Sequence, residues 1–330
     1  VNVSMSHNIK TIGRNAFANC TNLSNIAIPG SVLEMGEYAF DGCKNLTVEV
    51  NDLSAWCKIK FGYDANPLHA GAKLVVNGKE VIDELIIPEG TTMISDSAFS
   101  GCPYITEETI PESVRYMGKG VFKGSGLKTL IFKNKVLNIP ASFCENTVVS
   151  KVEFSYPKMV KNIGESAFAN TVLTDYILPA SSEDVIISKK AFANCKQLAK
   201  AILPDNTTQI DTEAFSGCTA LSAVSIGNGV SKIGDKAFYG CSTLTDITLN
   251  NSILSLGKNA FMNCTSLVNA PSFPDNMVMD EGVFKGCSKL KKVSLPYSMT
   301  TVPIETFANC TSLTQIELGE NVNIIGKSAF

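Results

Sequence analysis

The sequence predicts a strand-dominated solenoid, wound from about a dozen copies of a 23-residue leucine-rich repeat, and three observations predict it. A phenylalanine returns at a fixed interval, a Gly or Asn follows it two residues later, and an L-x-x-I-x-I/L element follows that turn. At 330 residues the chain exceeds the usual size of one globular core. A repeat array escapes that limit, because each unit packs only on its neighbours.

The phenylalanine stands at 17, 40, 99, 122, 143, 168, 192, 215, 238, 261, 284, 307 and 330, and eight of the twelve intervals are 23 residues. The residue before it is Ala in nine of thirteen cases, as expected where neighbouring backbones come close. Two residues after it stands Gly or Asn in eleven of twelve cases, with Glu145 the exception. Those two residue types accept positive φ most readily, so this column is read as a left-handed turn position.

Five residues before the phenylalanine an aliphatic or Met fills twelve of thirteen positions, often followed by Gly, which predicts a short extended segment bending into the turn. After the turn, sets such as Leu23, Ile26, Ile28 and Leu244, Ile247, Leu249 read as strands with one buried face. Pro29, Pro88, Pro111, Pro179, Pro204, Pro274 and Pro296 follow these strands and help end them. Stacked coils would align the strands into one long parallel sheet on the concave face, with short strands and turns on the convex side and little helix.

The recurring string IGDKAFYGCSTLTDITL, residues 233 to 249, resembles the BspA-like, or Treponema-type, leucine-rich repeats of bacterial surface-associated proteins. The resemblance covers nearly the whole chain. It implies an α/β horseshoe-type leucine-rich repeat solenoid, an extracellular or cell-surface location, and adhesion to host or neighbouring-cell proteins.

Residues 44 to 98 depart from the pattern, because Phe40 and Phe99 lie 59 residues apart. Ala55-Trp56 is read as replacing an Ala-Phe pair, with Ile59 and Phe61 in the next strand. Leu74 to Val76 before Asn77-Gly78 read as one arm of a hairpin with a type I′ turn. The expectation is a single solenoid over 1–330, with a degenerate coil plus hairpin at about 44–98 and partial repeats at both ends. Since the chain begins inside a coil and stops at Phe330 with that coil incomplete, a fragment of a longer protein is expected.

A net charge of −3 and a pI near 5.6, without a basic stripe, argue against a nucleic-acid partner. No run of 18 apolar residues is present, so no membrane-spanning segment is expected. The chain shows no secretory leader, which says nothing of location because it starts at Val1 without an initiator Met.

No catalytic residue, cofactor site or metal site is expected. Nine of the eleven cysteines sit three residues after the phenylalanine, and the same column elsewhere holds Ser125, Asn146 and Thr171, so small size is read as the requirement. One thiol per coil without a C-x-x-C pair does not make a zinc site. Parallel Cβ vectors oppose disulfides between coils, which leaves a buried free-thiol ladder. His7 and His69 lie in no nucleophile-base spacing and read as surface or loop residues. Glu107-Glu108 and Asp83-Glu84 read as solvated charge pairs. The Asn of sequons such as Asn263-Cys264-Thr265 is already explained as the turn residue, which argues against glycosylation.

The expected binding surface is the exposed face of the strands, where most positions are small or polar. Ile131, Ile177 and Ile202 stand out, beside Thr129, Lys151, Glu153, Asp175 and Lys200. They read either as a partner contact or as plain β-propensity. No aromatic residue lies in these columns, which weakens a sugar-stacking role. A protein or glycoprotein ligand is expected, and the rival reading is a passive spacer that presents another domain.

Overall fold

The computed structural model describes residues 2–178 and 183–330. Pro179 and its expected strand-ending role lie outside the described residues. Contacts divide the chain into two units, Val1–Tyr156 and Pro157–Phe330. Each carries two parallel ladders, one of longer strands and one of strands mostly two residues long.

In the first unit the long-strand ladder runs through Asn2–Val3, Asn25–Ile28, Thr47–Val50 and Lys73–Val76. A second section joins Asp83–Leu85, Ile105–Ile110, Thr129–Phe132 and Lys151–Phe154. Between the sections Lys79–Glu80 folds back antiparallel on Val75–Val76. The turn that returns it holds Asn77 at φ 50° and Gly78 at φ 77°, the pair of positive values that a type I′ turn requires. The short-strand ladder joins Thr11–Ile12, Glu34–Met35 and Lys60–Phe61, and separately Met93–Ile94 with Tyr116–Met117.

The irregular coil differs from its sequence reading in two respects. Ala55-Trp56 does not replace an Ala-Phe pair, since the register of Phe61 with Met35 puts Ala65-Asn66 in those positions, and Phe61 does not enter the next long strand. Phe61 pairs with Met35 in the short-strand ladder, and the next long strand after Thr47–Val50 is Lys73–Val76. Trp56 closes a four-residue helix, Leu53–Trp56, capped by the Asp52 carboxylate on the Ala55 N–H at 2.9 Å. The indole is buried and donates to the Ala98 carbonyl at 3.0 Å, directly before Phe99. Asn66 adds two donor bonds to the Ser97 and Ala98 carbonyls, so polar side chains tie the irregular coil to the regular one that follows.

In the second unit the long strands Asp175–Ile177, Lys200–Ile202 and Ala223–Ser225 form one section, and Lys292–Ser294 with Gln315–Glu317 another. Between them the expected strand around Leu244–Leu249 makes no regular ladder, although Ile247 and Leu249 are buried. Buried apolar side chains hold that segment, with the Val268 N–H donating to the Thr245 carbonyl at 3.2 Å. The short-strand ladder steps from Asn162–Ile163 through Val185–Ile187, Thr207–Ile210, Lys232–Ile233 and Ser255–Leu256 to Val278–Met279.

The phenylalanine column is the spine of the core. In the second unit Phe192, Phe215, Phe238, Phe261, Phe284 and Phe307 stack at centroid spacings of 5.2 to 5.8 Å, and no ring tilts more than 7° from the next. The coil spacing sets this distance, since neighbouring strands lie about 4.8 Å apart. All eleven Gly or Asn residues of the expected turn column have φ between 57° and 75°.

The coil at Phe143 departs from the sequence alignment by one residue. The Phe122 N–H donates to the Phe143 carbonyl, whereas Phe99 donates to Val121 and Phe17 to Ala39, in each case the residue before the next anchor. Cys144 therefore holds the anchor's backbone position, and Phe143 stands in the Ala column with its ring at 85° to Phe122. The shift accounts for two exceptions in the sequence at once. Asn146, φ 59°, takes the left-handed position in place of Glu145, and buried Ile139 takes the aliphatic position in place of Asn138.

Candidate functional site

The expected contact residues form two quartets, one in each unit. In the first, Thr129 pairs with Lys151 and Ile131 with Glu153 across neighbouring strands. Lys151 and Glu153 are exposed and ion-paired at 2.6 Å, whereas Ile131 and Thr129 are half-buried. An exposed pair of this kind contributes about 0–1 kcal/mol, so its weight lies in the charge pattern it displays.

In the second unit Asp175 pairs with Lys200 and Ile177 with Ile202. Ile177 is 54% exposed, Ile202 is half-buried, and Asp175 and Lys200 are both exposed. Strand alternation explains the exposure, since Tyr176 and Ala201 between them point inward and are buried. The next strand carries only Ala223 and Ser225 outward, in register with Lys200 and Ile202. These small side chains leave a depression of about 300 Å³, bordered by Lys200, Ile202, Asp246 and Thr248. That hollow was not legible in the sequence as a site, because it is made by what Ala223 and Ser225 lack.

A second constellation was missed entirely. His69 Nδ1 lies 3.3 Å from Ser100 Oγ, and His69 Nε2 lies 3.5 Å from Asp64 Oδ1. The order resembles that of a nucleophile, base and orienting acid, but Ser100 is 3% exposed and its hydroxyl donates to the Lys123 carbonyl at 3.0 Å. The neighbouring N–H groups are also committed, Ser100 to Ser97, Gly101 to Lys123 and Cys102 to Phe99. A hydroxyl whose proton is held by a carbonyl, with no free donors beside it, does not meet the geometry of acyl transfer. The three side chains instead fasten the irregular coil to its neighbour.

All eleven cysteines are free, and all except Cys20 are buried. Most members of their column add a donor to small size. Cys43, Cys195, Cys218, Cys241, Cys264, Cys287 and Cys310 each donate S–H to the anchor carbonyl of the coil before, at 3.0 to 3.3 Å. Thr171 in the same column also bonds the Phe168 carbonyl. Burial pushes the Cys264 thiol up to about 12, so it stays protonated and unreactive at neutral pH. Replacing it (Cys264→Ala) is expected to cost about 1–2 kcal/mol, from one lost bond and a small cavity, as read by urea denaturation. Cys264→Ser, which keeps a donor, should cost less; equal losses would remove the hydrogen-bonding account.

Glu108 contradicts its sequence reading as a solvated charge. It points into the core at 2% exposure, in register with Leu85 and Leu130, and neither carboxylate oxygen has a hydrogen-bond partner among the described residues. Burial raises its proton affinity well above the usual carboxylate range, with the charge of Glu84 adding to the rise. Among the described residues no cluster of His, Cys, Asp and Glu could hold a metal ion, and no helix is long and apolar enough to cross a membrane.

The geometry has counterparts among known proteins. Residues 1–55, 77–186, 185–300 and 277–330 match the family model of the BspA type leucine rich repeat region. The unmatched stretch contains Trp56 to Val76, the irregular coil. A solved leucine-rich repeat protein from Bacteroides ovatus is 26% identical, with a TM-score of 0.57, over 99% of this chain and 91% of its own. A solved leucine rich cell surface protein from Faecalibacterium prausnitzii shares the fold at 24% identity and a TM-score of 0.55, over 94% of this chain and 83% of its own. No curated protein matches the chain.

Proposed function

Given that the chain belongs to the BspA-type leucine-rich repeat family, we propose that it is a binding module of an extracellular or cell-surface protein, recognising a protein or glycoprotein through the outward face of its long strands. Leucine-rich repeat proteins generally act as scaffolds for protein contacts rather than as enzymes. The surface location rests on the resemblance to BspA-like surface proteins. The observation that carries the binding role is the outward Ile177–Ile202 register pair, flanked by exposed Asp175 and Lys200, beside the hollow over Ala223 and Ser225.

An exposed isoleucine beside a half-buried one, framed by charges, supplies desolvation at its centre and specificity at its rim. Ile177→Asp places an unpaired charge in that centre while leaving buried Tyr176 untouched. It is expected to abolish capture of ligand from host or neighbouring-cell surface extracts in a pull-down, with an unchanged circular dichroism melt. Ile131→Asp tests the first unit's quartet in the same way. The small, polar character of most other outward positions favours the rival reading, a passive spacer. A spacer predicts capture indifferent to both substitutions, and that result would remove the binding proposal.

A further inference from the structure

A ladder interrupted inside the first unit leaves an opening with the chemistry of a peptide site. The short strand Lys60–Phe61 pairs with Glu34–Met35, and Met93–Ile94 pairs with Tyr116–Met117, but among the described residues the two sections do not pair with each other. The backbone hydrogen bond between them falls outside both strands, where the Ser95 N–H donates to the Cys57 carbonyl at 2.7 Å. From that contact the surface opens into a cleft of about 490 Å³, lined by Lys58, Lys60, Phe61, Met93, Asp96 and Tyr116.

Both rims present strand edges. In a parallel ladder, residues that bond to one neighbour alternate with residues that bond to the other. Lys60 and Gly62 donate to the Leu33 and Met35 carbonyls, so the backbone N–H and C=O of Phe61 face the opposite side. Tyr116 and Gly118 donate to the Thr92 and Ile94 carbonyls, so those of Met93 also face away from that neighbour. The side left open in each case is the cleft. In the second unit the corresponding ladder is continuous from Asn162–Ile163 to Val278–Met279 and resumes as a separate section, Thr301–Val302 with Ile324–Ile325, so what distinguishes the first unit's break is the cleft and not the break alone.

We infer that this cleft binds an extended acidic peptide segment of a partner protein, which adds as the missing rung between Lys60–Phe61 and Met93–Ile94. Main-chain hydrogen bonds to the two edges supply the affinity, as in other strand-addition sites. Side chains select the sequence. Phe61, Met93 and Tyr116 offer apolar contact, and Lys58 supplies positive charge. Lys60 adds to it through an exposed 3.7 Å pair with Glu34, weak enough for an acidic side chain to displace. The one carboxylate in the lining, Asp96, is turned to the Lys119 N–H at 2.9 Å. The peptide's alternate residues are therefore acidic on the lysine side and apolar on the other.

The probe is a fluorescein-labelled, N-acetylated hexapeptide of alternating glutamate and valine, titrated with the full chain and read by fluorescence anisotropy. Saturable binding is expected for this peptide and none for its lysine–valine counterpart. The double variant Lys58→Glu, Lys60→Glu should weaken the acidic peptide by at least about tenfold, and Tyr116→Ala should weaken it too. N-methylation of the central amides, which removes the donors, should abolish binding. Ile177→Asp should change nothing, so that failure here is separable from failure of the proposal for the long strands. Three results would each overturn the inference: no saturation by about 1 mM peptide, full affinity of the N-methylated peptide, or indifference to the lysine reversal.

Discussion

Glu108→Leu is expected to stabilise the first unit, and the gain should grow as the pH rises. The wild-type carboxyl lies among apolar side chains, with Leu85 and Leu130 at the same inward position of the neighbouring strands. Leucine restores the column and removes two oxygens that have no partner among the described residues. An unsatisfied buried polar group costs about 1–3 kcal/mol even when neutral. The pH dependence follows from linkage. The folded carboxyl binds its proton more tightly than the unfolded one, so below pH of about 4 both states are protonated and no extra penalty exists. Above that, the unfolded chain releases its proton first, and folding loses up to about 1.4 kcal/mol per pH unit until the folded group also ionises. Urea denaturation of wild type, Glu108→Gln and Glu108→Leu between pH 4 and pH 8 reads this directly. Wild-type stability should fall with pH relative to both variants; parallel profiles would show that Glu108 is solvated.

Glu108 also shows where sequence reading ends. Strand parity across Ile105–Ile110 suggests opposite faces for Ile105 and Glu108, but both are buried, because the register shifts between Ile105 and Glu107. A bulge leaves no mark in the residue types of I-T-E-E-T-I. By contrast, the slip at Phe143 was legible, since Asn138 and Glu145 break their columns together and a one-residue offset repairs both. A second left-handed position, two residues before the anchor, was not. It holds Tyr38, Lys190, Glu213, Lys236 and Glu305 at φ of 54° to 57°. Their N–H groups donate across to the next coil, as Lys236 does to Lys258 at 2.8 Å. The stack offsets a conformational cost of roughly 1–2 kcal/mol at each, so the column, which also holds Asn15, Gly120, Asn259 and Gly282, is not confined to Gly or Asn.

The candidate site divides in the same way. Outward placement of Lys151, Glu153, Asp175, Ile177 and Lys200 follows from alternation and was readable. The hollow over Ala223 and Ser225 and the cleft beside Tyr116 depend on which residues become neighbours between coils. The cleft arises because the irregular coil brings Cys57 rather than Phe61 against Ser95. No motif spacing encodes such a displacement; it appears only when consecutive coils are set side by side.

Phe238→Ala should be the most destabilising single change in the second unit, costing about 3–5 kcal/mol by urea denaturation. The ring is fully buried and lies 5.4 Å from Phe215 and 5.3 Å from Phe261, within 3° of parallel to both. Two cost terms are involved, the cavity within the coil and the two stacking contacts, each worth about 0.5–1.5 kcal/mol beyond area burial. A double-mutant cycle separates them. Phe238→Ala with Phe261→Ala shares one stacking contact, so the pair should cost less than the sum of the singles by about 0.5–1.5 kcal/mol. Phe192→Ala with Phe284→Ala shares none, since three rings stand between them, and should be additive within about 0.5 kcal/mol. That contrast is what a core built from nearest-neighbour interfaces requires. Equal coupling for adjacent and distant pairs would mean that the column behaves as one undivided core, and the coil would cease to be the unit of stability.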